Sequence, residues 1–270
     1  MNKSELFNEL FKRYGSVKRA RGTFLYTKKG VRITDLYQEA GRAILGWEGG
    51  SAFTMMKNII SRGQTGSFIC EDKPGLRLQK AVSELFASDR SVFCFSSLND
   101  AFNAGLTLFP EGTNVYRPWN LQNEKINISE TPGLILTPPL PWAENIFILA
   151  ADTKRLEENP DSLLLIRNAI KLPFGLEIAI TKSIHNLIKA LQERYEKDWF
   201  IYDPVLTKYW ERKGPYLFPK VPRENYKDFA LHCLDCGLLI SPDYNQPSIV
   251  PFEADKGVFT KLKNSPFIWE

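Results

Sequence analysis

Hydrophobic residues recur at helical spacing in some stretches of the chain and alternate with polar residues in others. SELFNELFKRYG (residues 4–15) has the period of an amphipathic helix, with Ser4 as its N-cap and Gly15 as its end. GTFLYTKKGVRITDLY (22–37) alternates apolar and polar positions around a Lys-Lys-Gly turn and therefore predicts a β-hairpin. A glycine-rich loop then leads into SAFTMMKNIISRG (51–63), a second predicted helix.

The middle of the chain continues with helices and strands in alternation. Helices are predicted for residues 74–88 and 98–109, and the strand SVFCFS (91–96) lies between them. GLILTPPLPW (133–142) and NIFILAAD (145–152) are candidates for buried strands. This alternation favours an α/β protein over an all-α or an all-β protein.

Further helices are predicted for residues 162–170, 176–195 and 226–236, and an aromatic, irregular segment (198–219) lies between the last two. Its aromatic rings and basic side chains have the composition of a surface that stacks on bases or sugars. The same rings are typical of a segment that packs over a core or inside a subunit interface, and we favour that interpretation.

Composition and charge exclude several classes of protein. The 270 residues are 43% hydrophobic and 24% charged, as in an ordinary globular protein, and the net charge is only +4. The tight basic cluster near the start, residues 12–21, is explained by a solvated helix end, so we expect no nucleic-acid partner. The sequence shows no run of about 18 apolar residues and no early apolar stretch with a cleavage site, so we expect a cytoplasmic protein without membrane contact.

One stretch, HCLDC (232–236), has a spacing known from zinc and redox sites. A structural zinc ion would need a second pair of ligands, and only Cys70, Cys94 and His185 remain, scattered along the sequence. The stretch also ends a predicted helix instead of following a strand. We therefore expect buried helical cysteines, no metal, and no catalytic role for the two histidines.

Four stretches together resemble the class III aminotransferases, which are fold-type I pyridoxal-phosphate enzymes. They are RGTFLYTKKGVRITDLYQEAGRAILGW (21–47), the helix–strand–helix stretch 77–108, PFGLEIAITKSIHNLIKAL (173–191) and the C-terminal stretch 229–262. In the first, the family's Arg-Gly pair, turn glycine, strand-end aspartate and loop glycine match Arg21, Gly22, Gly30, Asp35 and Gly46. The match is one of pattern and order over about two-thirds of the chain.

The resemblance implies a pyridoxal-phosphate-transferase-like α/β fold. We expect a retained small domain, residues 1–75 and 175–270, and a reduced large-domain portion, residues 76–174, whose sheet is truncated. It also implies a homodimer, and a cleft lined by Trp47, Glu48 and Ser97.

The phosphate loop departs from the family pattern. Similar enzymes carry Ser-Gly-Ser-Glu at a helix N-terminus, where free N–H groups and the helix dipole favour an anion and glycine permits close approach. Here the matching residues are Ser96, Ser97, Leu98 and Asn99. Leu98 is predicted to place an apolar side chain where the phosphate would lie, while Ser96, Ser97 and Asn99 remain able to cap the helix.

A working cofactor site also needs a carboxylate beside the pyridine nitrogen and a lysine that forms the Schiff base. The best matches are Asp152, which ends NIFILAAD, and Lys171, which follows a Pro-Asp segment and precedes PFG. The alternatives are that Asp152 caps the next helical turn and that Lys171 is a solvated residue.

Two functions follow from the resemblance. The first, which we favour, is a non-catalytic, cofactor-free relative that acts as a binding or scaffolding protein, with an unknown small-molecule ligand. The alternative is an active pyridoxal-phosphate-dependent, aminotransferase-like enzyme that uses Lys171 and Asp152. A hydrolase with an unrelated site is disfavoured, because the chain has no Gly-x-Ser-x-Gly, His-Glu-x-x-His or Walker motif.

Overall fold

The computed structural model describes residues 2–66, 75–120, 127–142, 144–158 and 166–269. The helices in these ranges are α1 (Lys3–Tyr14), α2 (Gly50–Ser61), α3 (Leu76–Phe86), α4 (Leu98–Leu108), α5 (Thr153–Glu158), α6 (Phe174–Glu193), α7 (Lys197–Phe200), α8 (Asp203–Leu206), α9 (Tyr226–Asp235) and α10 (Thr260–Asn264). The strands are β1 (Val17–Arg21), β2 (Phe24–Thr27), β3 (Arg32–Asp35), β4 (Arg90–Phe95), β5 (Thr113–Tyr116), β6 (Gly133–Leu136), β7 (Phe147–Asp152), β8 (Trp210–Lys213), β9 (Tyr216–Pro219), β10 (Leu238–Leu239) and β11 (Ser248–Ile249).

The chain divides into two compact units. The terminal unit combines Met1–Glu48 with Glu193–Glu270, and the central unit is Gly49–Gln192. The boundaries expected from the sequence, at 75/76 and 174/175, both lie inside the central unit, because α2 and nearly all of α6 group with the central sheet.

The terminal unit is built on a sheet of order β1-β2-β3-β10, in which β2 and β3 form the predicted hairpin and β10 runs parallel to β3. Helix α1 packs Leu6 and Leu10 onto a core that the hairpin and α9 complete. The helix begins two residues earlier than predicted. Asn2, not Ser4, is the N-cap, since Asn2 Oδ1 accepts from the Glu5 N–H at 2.9 Å and the Glu5 carboxylate accepts from the Asn2 N–H. Gly15 ends the helix at φ 73°, as predicted.

The aromatic segment is more regular than its sequence suggested. After the short helices α7 and α8 it forms a hairpin of β8 and β9, and β11 pairs with β9 to make a three-stranded sheet. Trp210 is fully buried and lies 5.0 Å from the Phe229 ring, centroid to centroid. Trp199, Tyr202, Tyr209 and Tyr216 are also buried, so these rings form a core instead of a stacking surface.

The central unit holds a four-stranded sheet of order β4-β7-β6-β5. Strands β4 and β7 are antiparallel, as are β6 and β7, and only β5 and β6 are parallel. Helix α4 approaches the sheet closely, since a Cβ on Gly105 would lie 2.5 Å from the Thr113 Cγ2 atom. The helix predicted for 162–170 falls partly outside the described residues. Residues 166–170 are not helical, and the Ile170 N–H donates to the Cys94 carbonyl at 2.8 Å.

In the part of the chain that the structure describes, no helix combines the length and the apolar character that crossing a bilayer requires.

Candidate functional site

The four residues that match the phosphate loop lie at the N-terminus of α4, where β4 ends. Ser97 is the N-cap and its Oγ accepts from the Asp100 N–H at 3.4 Å. Asp100 itself lies in the first turn, and its Oδ1 accepts a hydrogen bond from Asn168 Nδ2 at 3.2 Å. A carboxylate already faces the positive end of the helix dipole, so a dianion there would meet like charge.

Leu98 has a different role from the one expected. Its half-buried side chain packs against the core cluster of the central unit, which includes Phe95, Ala101 and Ile135. The leucine therefore contributes to the core. As the first residue of α4, Leu98 follows the buried end of β4, and burial of its apolar side chain decides its direction.

Asp152 ends β7 and lies beside the start of β4, at the end of that strand remote from Ser97. In the antiparallel β4–β7 register it is opposite Arg90, whereas Phe95, next to the loop, is opposite Phe147. At about 3.3 Å per residue the six-residue strand separates Asp152 from Ser97 by roughly 20 Å. Asp152 Oδ1 accepts from the Arg155 N–H at 3.1 Å. The aspartate therefore caps α5, which agrees with the alternative that it caps the next helical turn.

Arg90 is a residue whose importance the sequence did not reveal. Its side chain is fully buried, and it donates to the carbonyls of Thr131 (2.6 Å), Ile128 (2.9 Å) and Ser129 (3.1 Å). Burial lowers the pKa of Arg90, and the charge of Asp152 opposes that shift. In the sequence, a single arginine at the start of an apolar strand is equally consistent with a buried arginine and with an exposed one.

Lys171 lies on the outer edge of β4 and lines a cavity of about 440 Å³ together with Cys94, Gln79 and Glu177. Lys171 is exposed, which agrees with the alternative that it is a solvated residue. Glu177 is buried and accepts from the Gly75 N–H at 2.9 Å. Burial, aided by the charge of Glu177, raises the pKa of the Cys94 thiol to about 12, so Cys94 is not a ready nucleophile.

Trp47 and Glu48, two of the three residues expected to line a cleft, lie in the terminal unit, and Ser97 lies in the central unit. Trp47 Nε1 donates to Asp35 Oδ2 at 2.8 Å, and Glu48 Oε2 accepts from the Gly22 N–H at 2.7 Å. Both side chains thus hold the loop after β3 against the hairpin.

Asp35 is completely buried at the end of β3. Desolvation raises its pKa to about 6, although hydrogen bonds from the Gln38 N–H, the Trp47 indole and the Tyr37 N–H act in the opposite direction. This carboxylate organises the loop that follows it.

The HCLDC stretch places both of its cysteines in the interior. Cys233 is buried within α9, and Cys236 is buried at its C-cap, as predicted. Burial raises the pKa of both thiols. His232 Nε2 is 2.8 Å from the Ser265 carbonyl, and among the described residues no group of three or more His, Cys, Asp or Glu side chains has metal-ligand geometry.

Comparison with other proteins identifies the fold. No protein-family model matches the chain. It is 28% identical over 291 aligned residues to an uncharacterized protein of Treponema pallidum (strain Nichols), a match that covers 90% of this chain and 91% of that protein. Among solved structures it is similar to an ornithine aminotransferase from Plasmodium yoelii (TM-score 0.62, 14% identity, 97% of each chain). It is also similar to an omega-transferase from Vibrio fluvialis JS17 (TM-score 0.65, 12% identity, 92% of this chain and 97% of that one).

These similarities confirm the predicted α/β fold, that of the class III aminotransferases among fold-type I pyridoxal-phosphate enzymes. At such identities the likeness is one of fold.

The described residues do not fit pyridoxal phosphate as the sequence match would arrange it. The helix N-terminus that holds the phosphate, the carboxylate beside the pyridine nitrogen and the Schiff-base lysine must all lie around one cofactor molecule. Ser97 and Asp152 lie at opposite ends of β4, farther apart than a pyridine ring with one phosphomethyl arm extends. Asp152 and the residues that match the phosphate loop therefore do not meet in one site.

Proposed function

We propose that the protein is a non-catalytic, cofactor-free relative of the class III aminotransferases that works as a homodimeric binding or scaffolding protein. One observation carries the proposal: Asp152, the best match to the cofactor's carboxylate partner, lies opposite Arg90 in the β4–β7 pair, at the end remote from Ser97. The residues that match the phosphate loop support it, since Ser97 caps α4 and Leu98 packs into the core.

The proposal is tested with pyridoxal phosphate itself. Purified protein is incubated with the cofactor, its visible absorption is recorded, and borohydride-reduced samples are digested for peptide mass spectrometry. We expect no retained visible band and no reduced adduct on Lys171. The variant Lys171→Ala is the control: an adduct at residue 171 that this variant lacks would favour the alternative, an active aminotransferase-like enzyme.

Self-association is supported by α2. This helix buries only Ala52 and Ile59, while Met55 is 36% and Ile60 is 55% exposed. We propose that a second copy of the chain covers these exposed apolar side chains.

We also place the protein in the cytoplasm. Cys94, Cys233 and Cys236 are all unbridged thiols, which is typical of a reducing compartment.

A further inference from the structure

The terminal unit contains a cavity of about 550 Å³ at a place where the sequence analysis predicts no site. It is lined by the start of α1, by Tyr37, by the first turn of α9 and by the loop of residues 241–246, and we call it the α1–α9 cavity. Its volume lies within the range of small-molecule sites, roughly 300–1,000 Å³.

The walls of the α1–α9 cavity carry more positive than negative charge. Lys3, Arg223 and Lys227 line it, against a single carboxylate, Asp243. Lys3 is partly neutralised, because its Nζ lies 3.0 Å from Glu39 Oε2. The cavity therefore favours an anion over a cation or a neutral molecule.

The other two cations are available to a ligand. Arg223 uses one nitrogen to donate to Asn245 Oδ1 at 2.6 Å, and its guanidinium lies 5.0 Å from the centre of the Tyr244 ring. The remaining donors of the fork have no acceptor among the described residues. Lys227 is exposed and forms no ion pair within the described ranges.

Tyr37 supplies a hydroxyl donor to the cavity. Its side chain lines the cavity and the residue is only 8% exposed, yet its hydroxyl makes no hydrogen bond to any residue that the structure describes. Burial, with the charge of Glu39 as the next contribution, raises the pKa of Tyr37 to about 12, so the phenol stays protonated. The hydroxyl oxygen is accessible within the cavity, so it can donate to a ligand or to water there.

The backbone that follows Tyr37 is held in an uncommon conformation. Gln38, Glu39 and Ala40 have φ of 45°, 49° and 56°, values that non-glycine residues rarely adopt, and Ala40 lines the cavity. Asp35 holds this left-handed turn, because its Oδ1 accepts from the N–H groups of Tyr37 and Gln38 at 2.9 Å each. Backbone strain of this kind persists where surrounding contacts hold the strained residues in place, and such positions are often found at ligand sites.

We propose that the α1–α9 cavity binds a small organic anion. Its carboxylate or phosphate group is held by Arg223 and Lys227 and accepts a hydrogen bond from the Tyr37 hydroxyl, and its apolar part lies against the Tyr226 and Tyr244 rings. The inference goes beyond the proposed function and is independent of it, since every lining residue belongs to the terminal unit and none is a candidate cofactor residue.

Isothermal titration of the full chain with two probes, pyrophosphate and citrate, tests this site and separates phosphate from carboxylate recognition. We expect at least one probe to bind, and Arg223→Met and Lys227→Met each to weaken that binding at least fivefold. Tyr37→Phe is expected to weaken it roughly fivefold without loss of folding, because the hydroxyl bonds no described residue. Lys263→Met and Tyr26→Phe, which remove a charge and a hydroxyl elsewhere in the same unit, are the matched controls.

The inference is overturned if neither probe binds at millimolar concentration, or if the controls weaken binding as much as the cavity variants. Thermal unfolding of each variant identifies any that fails to fold, and the Tyr37→Phe result then decides. A reduced pyridoxal phosphate adduct on Lys171 would end the proposed function and leave this inference in place.

Discussion

Asp152 and Arg90 face each other across the antiparallel β4–β7 pair, at the end of the sheet opposite the N-terminus of α4. In this register Asp152, the residue matched to the cofactor's carboxylate partner, caps the short helix α5. Arg90 is buried and donates hydrogen bonds to three backbone carbonyls.

Removing the buried arginine should destabilise the protein. Arg90→Met leaves the carbonyls of Ile128, Ser129 and Thr131 without their side-chain donor, which we expect to cost about 3 kcal/mol of unfolding free energy. Urea unfolding followed by circular dichroism measures the loss. Arg21→Met, at a side chain that is 64% exposed, is the matched control and should change stability by less than about 0.5 kcal/mol. Equal effects in the two variants would contradict the role of Arg90.

Asp35 should make stability depend on pH. Its pKa is about 6 in the folded protein, against about 3.9 in an unfolded chain, so the folded state holds the proton more tightly. Stability should therefore fall as pH rises from about 4 to about 6, by roughly 2 to 3 kcal/mol, and this contribution should then level off.

The variant Asp35→Asn isolates that contribution. The stability of this variant should not fall between pH 4 and 6. At neutral pH the hydrogen bond from the Trp47 indole should be weaker, because its acceptor is no longer a carboxylate. Urea unfolding of both proteins at several pH values gives the difference curve. Parallel curves for the two proteins would show that Asp35 does not titrate as its burial requires.

Trp210 should be essential to the fold of the terminal unit. It is fully buried against Tyr209 and Phe229, so Trp210→Ala should cost about 3 to 5 kcal/mol. Trp269, at the end of the chain, is only half-buried, and Trp269→Ala should cost clearly less. Thermal unfolding of the two variants provides the comparison, and similar melting temperatures would argue against a core role for Trp210.

The proposed dimer surface can be tested with a single charge. Ile60→Glu places a carboxylate on the exposed face of α2 and should convert a dimer to a monomer in light scattering. Ile268→Glu makes the same change at a residue that is 82% exposed near the C-terminus and should leave the dimer intact. A wild-type protein that is monomeric, or a dimer that survives Ile60→Glu, would rule out this surface.

Local signals in the sequence were sufficient for most elements of the fold. Gly15 ends α1, Ser97 caps α4, and the Lys-Lys-Gly turn joins β2 to β3, because a cap or a turn depends on residues a few positions apart. Where the signal was weaker the prediction was wrong. The start of α1 was assigned to Ser4 although Asn2 caps it, and the hairpin Trp210–Pro219 was not recognised beneath its irregular aromatic composition.

The sequence by itself determined the alternation of helices and strands, the likeness to class III aminotransferases, and the loss of the glycine before Leu98. Only the tertiary structure decided that Asp152 lies away from Ser97, because strand direction is set by pairing between distant segments and β7 runs antiparallel to β4. It likewise decided the direction of Leu98 and the position of Tyr37 beside Arg223 and Lys227, which are close only after folding. Burial and strand pairing act across the whole chain, and no local pattern of residues reports their outcome.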